Sequence, residues 1–204
     1  EYYHTAKVSE DGHYVLLERR TFGKAELYFK KVDSDEIRPI VEGFDADYQA
    51  VIINDKLLVK TNKDAPNGKV FITTVEKSER DDWRELIPES EDRLESIQCI
   101  ADNLYLKYLH KAYSKIKIYS LEGRYIRDLI LPGVGSANVY GCFSKPNIWV
   151  VFSSFLFPSM IYKYHFEKEQ LCLFFELSIK MNINQFSTDQ VEYKSKDGTK
   201  ITMF

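Results

Sequence analysis

The residues with the clearest potential for chemistry are three serines between positions 134 and 164. Ser136 follows the glycine-rich run Gly133-Val134-Gly135, and the adjacent serines Ser153 and Ser154 lie a short distance downstream. A hydrolase nucleophile of this kind needs a Gly-x-Ser-x-Gly turn, which exposes the serine on a strained strand-to-helix connection. The spacing around Ser136 is different, and the sequence contains no such motif. We therefore interpret all three serines as turn or loop residues.

Histidines, cysteines and acidic clusters are the other candidates for catalysis or metal binding. The four histidines are far apart and form no His-x-x-x-His pair: His4, His13, His110 and His165. The three cysteines are too few and too irregular for a zinc site or a disulfide framework: Cys99, Cys142 and Cys172. Cys99 and Cys142 lie 43 residues apart, and we expect both to be packing residues, with a reactive thiol as the alternative. We predict no catalytic residue, no metal ligand and no cofactor.

The composition points to a globular domain. The chain has 204 residues, 44% of them hydrophobic, and a formal net charge of −3. This length supports a sizeable core, and the mild acidic balance provides no electrostatic attraction to nucleic acid or to an anionic membrane. No apolar stretch approaches the length of a membrane span. The odd number of cysteines is typical of a reducing compartment, so we predict a cytoplasmic protein.

The elements that would position any site repeat along the chain. Four apolar runs each follow a polar turn and start 43, 47 and 44 residues apart: Tyr14–Leu17, Leu57–Val59, Leu104–Leu106 and Ile148–Val151. A second strand-like run follows each of them, with starts 43, 46 and 45 residues apart: Leu27–Phe29, Val70–Ile72, Ile116–Ile118 and Ile161–Lys163. A period of this length made of short β runs predicts propeller blades, each a four-stranded sheet.

We therefore predict an all-β fold of about four four-stranded antiparallel sheets that form an open part of a β-propeller. The approximate blades are 1–43, 44–90, 91–134 and 135–183. The second strand of each repeat is apolar on successive residues, as expected when neighbouring sheets bury both of its faces. The core should then lie between repeats, so that no single repeat is stable alone.

Two segments depart from the simple repeat. Residues 76–96 are rich in charge, and Trp83, Leu86 and Ile87 have helical spacing. We favour the fourth strand of the second blade in this segment, and a short amphipathic helix is the alternative.

Residues 184–204 contain a strong hairpin signal around Asp197-Gly198. This hairpin belongs to no blade, so we interpret 184–204 as the start of a further domain of a larger protein.

Several motifs along the chain carry a resemblance to a known family. They are SEDGHYVLLERR (9–20), APNGKV (65–70), WRELIPE (83–89), GSANVYG (135–141), SSFLFPSMIYKY (153–164) and VEYKSKDGTKITMF (191–204). In their order and spacing, the chain resembles the C-terminal part of the propeller of prolyl oligopeptidases, a serine peptidase family. The last motif departs from the usual family pattern at Thr202, where proline is common.

The resemblance implies a function for the protein to which this chain would belong. Members of the family cleave short peptides after proline with a Ser-His-Asp triad, in an α/β-hydrolase domain beneath a seven-bladed propeller. The implied role of the propeller is to gate and size-select substrates. The triad would lie beyond the hairpin, so this chain alone is expected to be inactive. The implied partners are the catalytic domain of the same parent chain and short proline-containing peptides.

The topology of a blade suggests where that domain would lie. Strands alternate in direction, so the loops between second and third strands share one face of the propeller: 19–24, 62–68, 110–114 and 153–159. The chain leaves the last blade on this face, which should look toward the catalytic domain. By resemblance, Arg20 would lie close to the bound peptide, with Phe22 lining the same cavity and Arg19 as an alternative to Arg20. The cysteine that accompanies this arginine in animal members has no counterpart here.

The alternative to a peptidase propeller is a non-catalytic scaffold that binds a protein partner. A closed ring of four blades would favour the scaffold, whereas an open arc would favour the peptidase piece. An open arc also leaves apolar sheet faces uncovered, and such faces favour self-association. We therefore predict a homo-oligomer formed through the end blades.

Overall fold

A computed structural model describes residues 1–178 and 185–204, and these residues form an all-β fold. Three sheets with strands in simple sequential order follow one another along the chain. The first contains β1 (Tyr3–Val8), β2 (Tyr14–Thr21), β3 (Lys24–Lys31) and β4 (Arg38–Val41). The second contains β5 (Tyr48–Ile53), β6 (Lys56–Thr61), β7 (Lys69–Thr74) and β8 (Arg84–Ile87). The third contains β9 (Arg93–Ile100), β10 (Asn103–His110), β11 (Tyr113–Ser120) and β12 (Tyr125–Leu129).

A fourth sheet and a separate hairpin complete the fold. The fourth sheet contains β13 (Ser136–Cys142), β14 (Lys145–Ser153), β15 (Met160–His165) and β16 (Gln170–Phe175). The hairpin pairs β17 (Val191–Lys194) with β18 (Lys200–Met203). All four sheets are antiparallel meanders, which confirms the prediction of four-stranded propeller blades. The predicted end of the last blade at residue 183 lies outside the described residues.

The core lies between the sheets, as predicted. Each pair of consecutive sheets shares one cluster of buried apolar side chains. In β6, Leu57 and Val59 join the cluster with the first sheet, whereas Leu58 joins the cluster with the third. Both faces of this strand are therefore buried, which explains why its sequence is apolar on successive residues.

The two terminal sheets have only one packed face each. Every residue of β1 is exposed, and in β16 the aromatic rings of Phe174 and Phe175 are exposed at 67% and 48%. An open arc of blades accounts for this exposure, because each terminal sheet packs against a single neighbour. The observed arrangement therefore favours the peptidase piece over a closed four-bladed scaffold.

The charged segment 76–96 forms a strand where the sequence left two alternatives. Residues Arg84–Ile87 pair with β7, with Val70 opposite Ile87 and Phe71 opposite Glu85. The only helical turn described in this segment is a single 3₁₀ turn at Arg80–Asp82. The aromatic ring of Trp83 packs on Phe71 with the ring centroids 5.6 Å apart. Blade packing therefore prevails over the local helical spacing, as we favoured.

Candidate functional site

The connections between second and third strands form one face of the arc, which we call the hairpin face: 22–23, 62–68, 111–112 and 154–159. The hairpin β17–β18 contacts two of these connections. The Lys111 ammonium lies 2.7 Å from a carboxylate oxygen of Glu192, and the Gln190 side-chain amide donates to the Lys111 carbonyl at 2.6 Å. The rings of Phe155 and Phe204 lie 5.4 Å apart. The hairpin therefore contacts the third and fourth sheets on the hairpin face, where the order of strands in a blade places the exit of the chain.

Arg20 lies at the end of β2 on this face and connects the first sheet to the second. Its guanidinium donates hydrogen bonds to the carboxylates of Glu18 and Asp47, and to the Tyr48 carbonyl at 2.8 Å. A guanidinium has five N–H donors, so two further donors can serve another acceptor. Burial alone would lower the pKa of Arg20, but the hydrogen bond to Asp47 and the charge of Glu18 raise it above its ordinary value.

Asp47 is the centre of the charge network around Arg20. Its second carboxylate oxygen accepts a bond of 2.9 Å from the Lys60 ammonium, which is buried in β6. Burial opposes the charge of Asp47, yet the nearby Lys60 and Arg20 cations hold the pKa of its carboxyl below the ordinary value. The sequence did carry a signal for this network, because Lys60 directly follows the buried apolar run Leu57–Val59 in β6, and a buried lysine requires a carboxylate partner.

Phe22 and Arg19 lie on the same face in different surroundings. Phe22 is fully exposed at the tip of the β2–β3 turn, where it is available to a partner or ligand. The Arg19 guanidinium lies over the Tyr2 ring at 4.1 Å from its centroid, and over the Phe44 ring at 5.2 Å. The predicted proximity of Arg20 and Phe22 to a peptide stays a prediction.

The three serines take structural positions. Ser136 is the first residue of β13 and pairs with Ser153, the last residue of β14, so both belong to strand ends rather than to the loops predicted for them. Ser154 lies in the following loop, where its hydroxyl accepts bonds from the Leu156 and Phe157 backbone N–H groups. A side chain at Gly135 would meet the Ser153 carbonyl at 2.2 Å. The glycine next to Ser136 therefore serves close strand packing.

The remaining candidate groups are the histidines, the acidic residues and the cysteines. The His110 ring contacts Asp92 at 2.5 Å, and these described ranges hold no cluster of three residues that could bind a metal ion. Cys99 is buried as expected, and burial raises the pKa of its thiol to about 12. Cys142 is exposed, so its predicted packing role is wrong. It ends the strand β13 of the terminal sheet, where less of the surface is covered.

A cavity of about 360 Å³ lies at the opposite face of the arc. The first strands of all four sheets contribute to its lining through Lys7, Ile52, Cys99 and Gly141, among others. These strands therefore lie innermost, around a common axis.

Within the described residues, no helix is long and apolar enough to cross a membrane.

The sheet order and the axial cavity define the chain as a β-propeller built from antiparallel four-stranded blades. The chain belongs to the prolyl oligopeptidase family, because residues 1–175 match the N-terminal β-propeller domain of prolyl oligopeptidase. It is 30% identical to a prolyl endopeptidase of Elizabethkingia meningoseptica over 97% of this chain and 28% of that protein. It is also 30% identical to the dual function macrocyclase-peptidase POPB of Amanita bisporigera, over 96% of this chain and 29% of that protein.

Solved structures agree with the sequence relatives. A structure from a study of two prolyl endopeptidases superposes with a TM-score of 0.91 at 31% identity, over 98% of this chain and 30% of that one. Prolyl oligopeptidase B from Galerina marginata, solved with a 35mer hydrolysis and macrocyclization substrate, gives a TM-score of 0.85 at 27% identity, over 99% of this chain and 30% of that one. The chain thus spans less than a third of the length of these relatives.

Proposed function

We propose that this chain is the propeller portion of a serine endopeptidase that cleaves short peptides after proline, and that it gates and size-selects the substrate. The observation that carries the proposal is the match over 97% of this chain to less than a third of a prolyl endopeptidase, at 30% identity. The corresponding fold agreement has a TM-score of 0.91. We assign catalysis to a separate α/β-hydrolase domain. This chain alone is therefore proposed to have no peptidase activity and to need no cofactor.

The domain arrangement follows from the hairpin face. We assign residues 1–183 to the propeller and residues 184–204 to the start of the hydrolase domain. The contacts of the hairpin with Lys111 and Phe155 support this assignment, because they hold it against blade connections rather than within a blade. The catalytic domain would therefore lie over the hairpin face.

The odd number of cysteines supports a cytoplasmic location.

Short proline-containing peptides are the proposed ligands of this face. A neighbour of the same fold is described as bound to a 35mer hydrolysis and macrocyclization substrate. In this chain, the exposed ring of Phe22 offers an apolar surface to a peptide. The two remaining N–H donors of Arg20 offer hydrogen bonds to a peptide carbonyl or carboxylate.

A chimera tests the proposed function directly. The matching segment of the Elizabethkingia meningoseptica prolyl endopeptidase is replaced by this chain, and cleavage of a fluorogenic proline peptide is compared with cleavage of a folded protein. We expect the chimera to cleave the short peptide and to spare the folded protein. A folded chimera that degrades both would refute size selection. Turnover of the peptide by this 204-residue chain alone would refute the assignment of catalysis to another domain.

The role of Phe22 is tested in the same chimera. Because Phe22 is fully exposed, Phe22→Ala should raise the KM for the peptide several-fold and leave the melting temperature unchanged. Val32→Ala, an exposed apolar residue next to β3, is the matched control and should change neither quantity. An unchanged KM in the Phe22 variant would remove this residue from the proposed peptide site.

The exposed faces of the two terminal sheets also support self-association of this chain. The apolar side chains of β16 are suited to pairing with a second copy, because burial of exposed apolar surface is favourable. We propose a homo-oligomer joined through these end blades.

A further inference from the structure

Glu10 makes an unusual contact between sheets that are not neighbours. It lies in the β1–β2 turn of the first sheet, and its carboxylate reaches the β13–β14 turn of the fourth sheet. One oxygen accepts a hydrogen bond from the Phe143 backbone N–H at 2.7 Å. The other oxygen accepts from the Ser144 backbone N–H at 3.2 Å. Two complete sheets separate these turns along the chain, so the contact crosses the inside of the arc.

The turn that carries Glu10 is held in shape by its own hydrogen bonds. The Gly12 N–H donates to the Ser9 carbonyl at 2.9 Å, and the His13 N–H donates to the Asp11 carboxylate at 3.0 Å. The fourth-sheet turn is anchored nearby, because the Ala101 N–H donates to the Cys142 carbonyl at 3.2 Å. Glu10 therefore bridges two ordered turns and does not depend on a disordered loop.

This bridge differs in kind from the contacts that hold neighbouring sheets together. Neighbouring sheets share large buried apolar clusters, which contribute many kcal/mol of stability and do not open one at a time. The bridge of Glu10 consists of two charge-assisted hydrogen bonds at an exposed position. Contacts of this type are modest in free energy and can open locally without unfolding of the domain.

The bridge lies at the mouth of the axial cavity. Glu10, Phe143 and Ser144 all contribute to the lining of this cavity of about 360 Å³. The thiol-bearing residue Cys99 also lines it and is only 7% exposed. Cys99 also packs in the apolar cluster shared by the second and third sheets, so its reaction reports opening of the cavity when exchange at core amides shows that this cluster stays closed.

We propose that Glu10 is a latch that closes the end of the axial channel opposite the hairpin face, by joining the first and fourth blades across the axis. Release of the carboxylate from the Phe143 and Ser144 N–H groups separates the two turns and opens the cavity. This proposal deepens the gating role proposed above and rests on it. Its test measures access to a thiol and not peptide cleavage, so the two proposals can fail separately.

The test is the rate at which Cys99 reacts with a small maleimide in the intact 204-residue chain, followed by mass spectrometry of the peptide that contains it. Glu10→Ala removes the acceptors of both hydrogen bonds and should increase this rate by about tenfold, because the two bonds are exposed and their combined net contribution is modest. Glu10→Gln keeps one acceptor oxygen and should give an intermediate rate. Cys172, which is exposed on β16, is the internal reference at a chain concentration low enough to give a monomer, and it should react equally fast in every variant.

Two controls separate opening of the latch from general loss of stability. Glu167→Ala changes an exposed glutamate in the β15–β16 turn and should react like the unmodified chain. Hydrogen exchange at the buried Leu57 and Leu104 amides reports global unfolding and should be unchanged in Glu10→Ala. An unaltered Cys99 rate in Glu10→Ala would overturn the proposal. A faster Cys99 rate with a proportional rise in exchange at these core amides would overturn it as well.

Discussion

The carboxylate of Asp47 satisfies two cations that the sequence places far from it. It accepts hydrogen bonds from Arg20 of the first sheet and from the buried Lys60 of the second. Loss of one partner from such a group leaves a charge without compensation, which is more costly than the loss of an exposed ion pair. Asp47 therefore adds a polar link between the first two blades to the apolar cluster that they share.

Asp47→Asn should lower the free energy of unfolding by about 3 kcal/mol, because Lys60 and Arg20 lose their shared anion. The folded-state pKa of Asp47 lies below its ordinary value of 3.8, so its stabilisation is present above that pH. The stabilisation is lost as the pH falls through the folded-state pKa. Urea unfolding should thus show a gap between the two proteins that narrows below about pH 4.

Asp35→Asn serves as the control for this prediction. Asp35 is fully exposed, and its carboxylate lies 3.8 Å from the Lys30 ammonium. An exposed pair of this kind should change stability by less than about 0.5 kcal/mol. Equal losses in the two variants would contradict the central role of Asp47.

The hydroxyl groups of Tyr105 and Tyr14 have opposite surroundings. The Tyr105 hydroxyl is buried between the third and fourth sheets, and the described part of the chain offers it no hydrogen-bond partner. The Tyr14 hydroxyl donates to Asp55 at 2.9 Å. Tyr105→Phe should raise the free energy of unfolding by about 1 kcal/mol, whereas Tyr14→Phe should lower it by about 1.5 kcal/mol. A comparable loss in both variants, measured by urea unfolding, would show that the Tyr105 hydroxyl is hydrogen-bonded in solution.

The start of β13 depends on the absence of a side chain at Gly135. A Cβ atom there would lie 2.2 Å from the Ser153 carbonyl and 2.8 Å from the Phe152 ring. The pairing of β13 with β14 brings these atoms together at the interface between the third and fourth sheets. The glycine-rich run before Ser136, which could have indicated a nucleophile, thus allows β13 to pack closely against β14.

Gly135→Ala should therefore lower the free energy of unfolding by at least about 2 kcal/mol, because the strand must move to relieve the overlap. Gly133→Ala is the matched control, since an added Cβ there meets nothing within 4 Å, and its effect should stay within about 0.5 kcal/mol. The measurement is thermal or urea unfolding of both variants. A tolerated alanine at position 135 would contradict the close strand contact.

Strand positions could be predicted because their signals are local. Each blade is a meander in which consecutive strands pair, so the hydrophobic runs and the turns between them specify the sheet. The strand Arg84–Ile87 was harder to predict, because Trp83, Leu86 and Ile87 have the spacing of an amphipathic helix. Only the repeat, which demanded a fourth strand in this blade, favoured the correct alternative.

The exposed terminal faces of the whole arc lead to a prediction about the size of this chain in solution. Because Phe174 and Phe175 of β16 are exposed, we expect the chain to elute from a sizing column above the 23.9 kDa of a monomer. Phe174→Glu should shift it to the monomer, since a charge opposes burial of this face. Phe22→Glu, on the hairpin face, should not. A monomer for the unmodified chain at high concentration would refute association through the end blades.

The sequence by itself determined the blade repeat, the strand positions, the lack of a nucleophile motif and the family. These properties depend on local patterns and on motifs that can be read in chain order. Only the tertiary structure decided the partners of Arg20 and Lys60, the burial of Cys99 against the exposure of Cys142, and the bridge of Glu10 to a turn 133 residues away. The physical reason is that blade stacking sets which turns converge and which side chains meet, and no local pattern encodes that geometry.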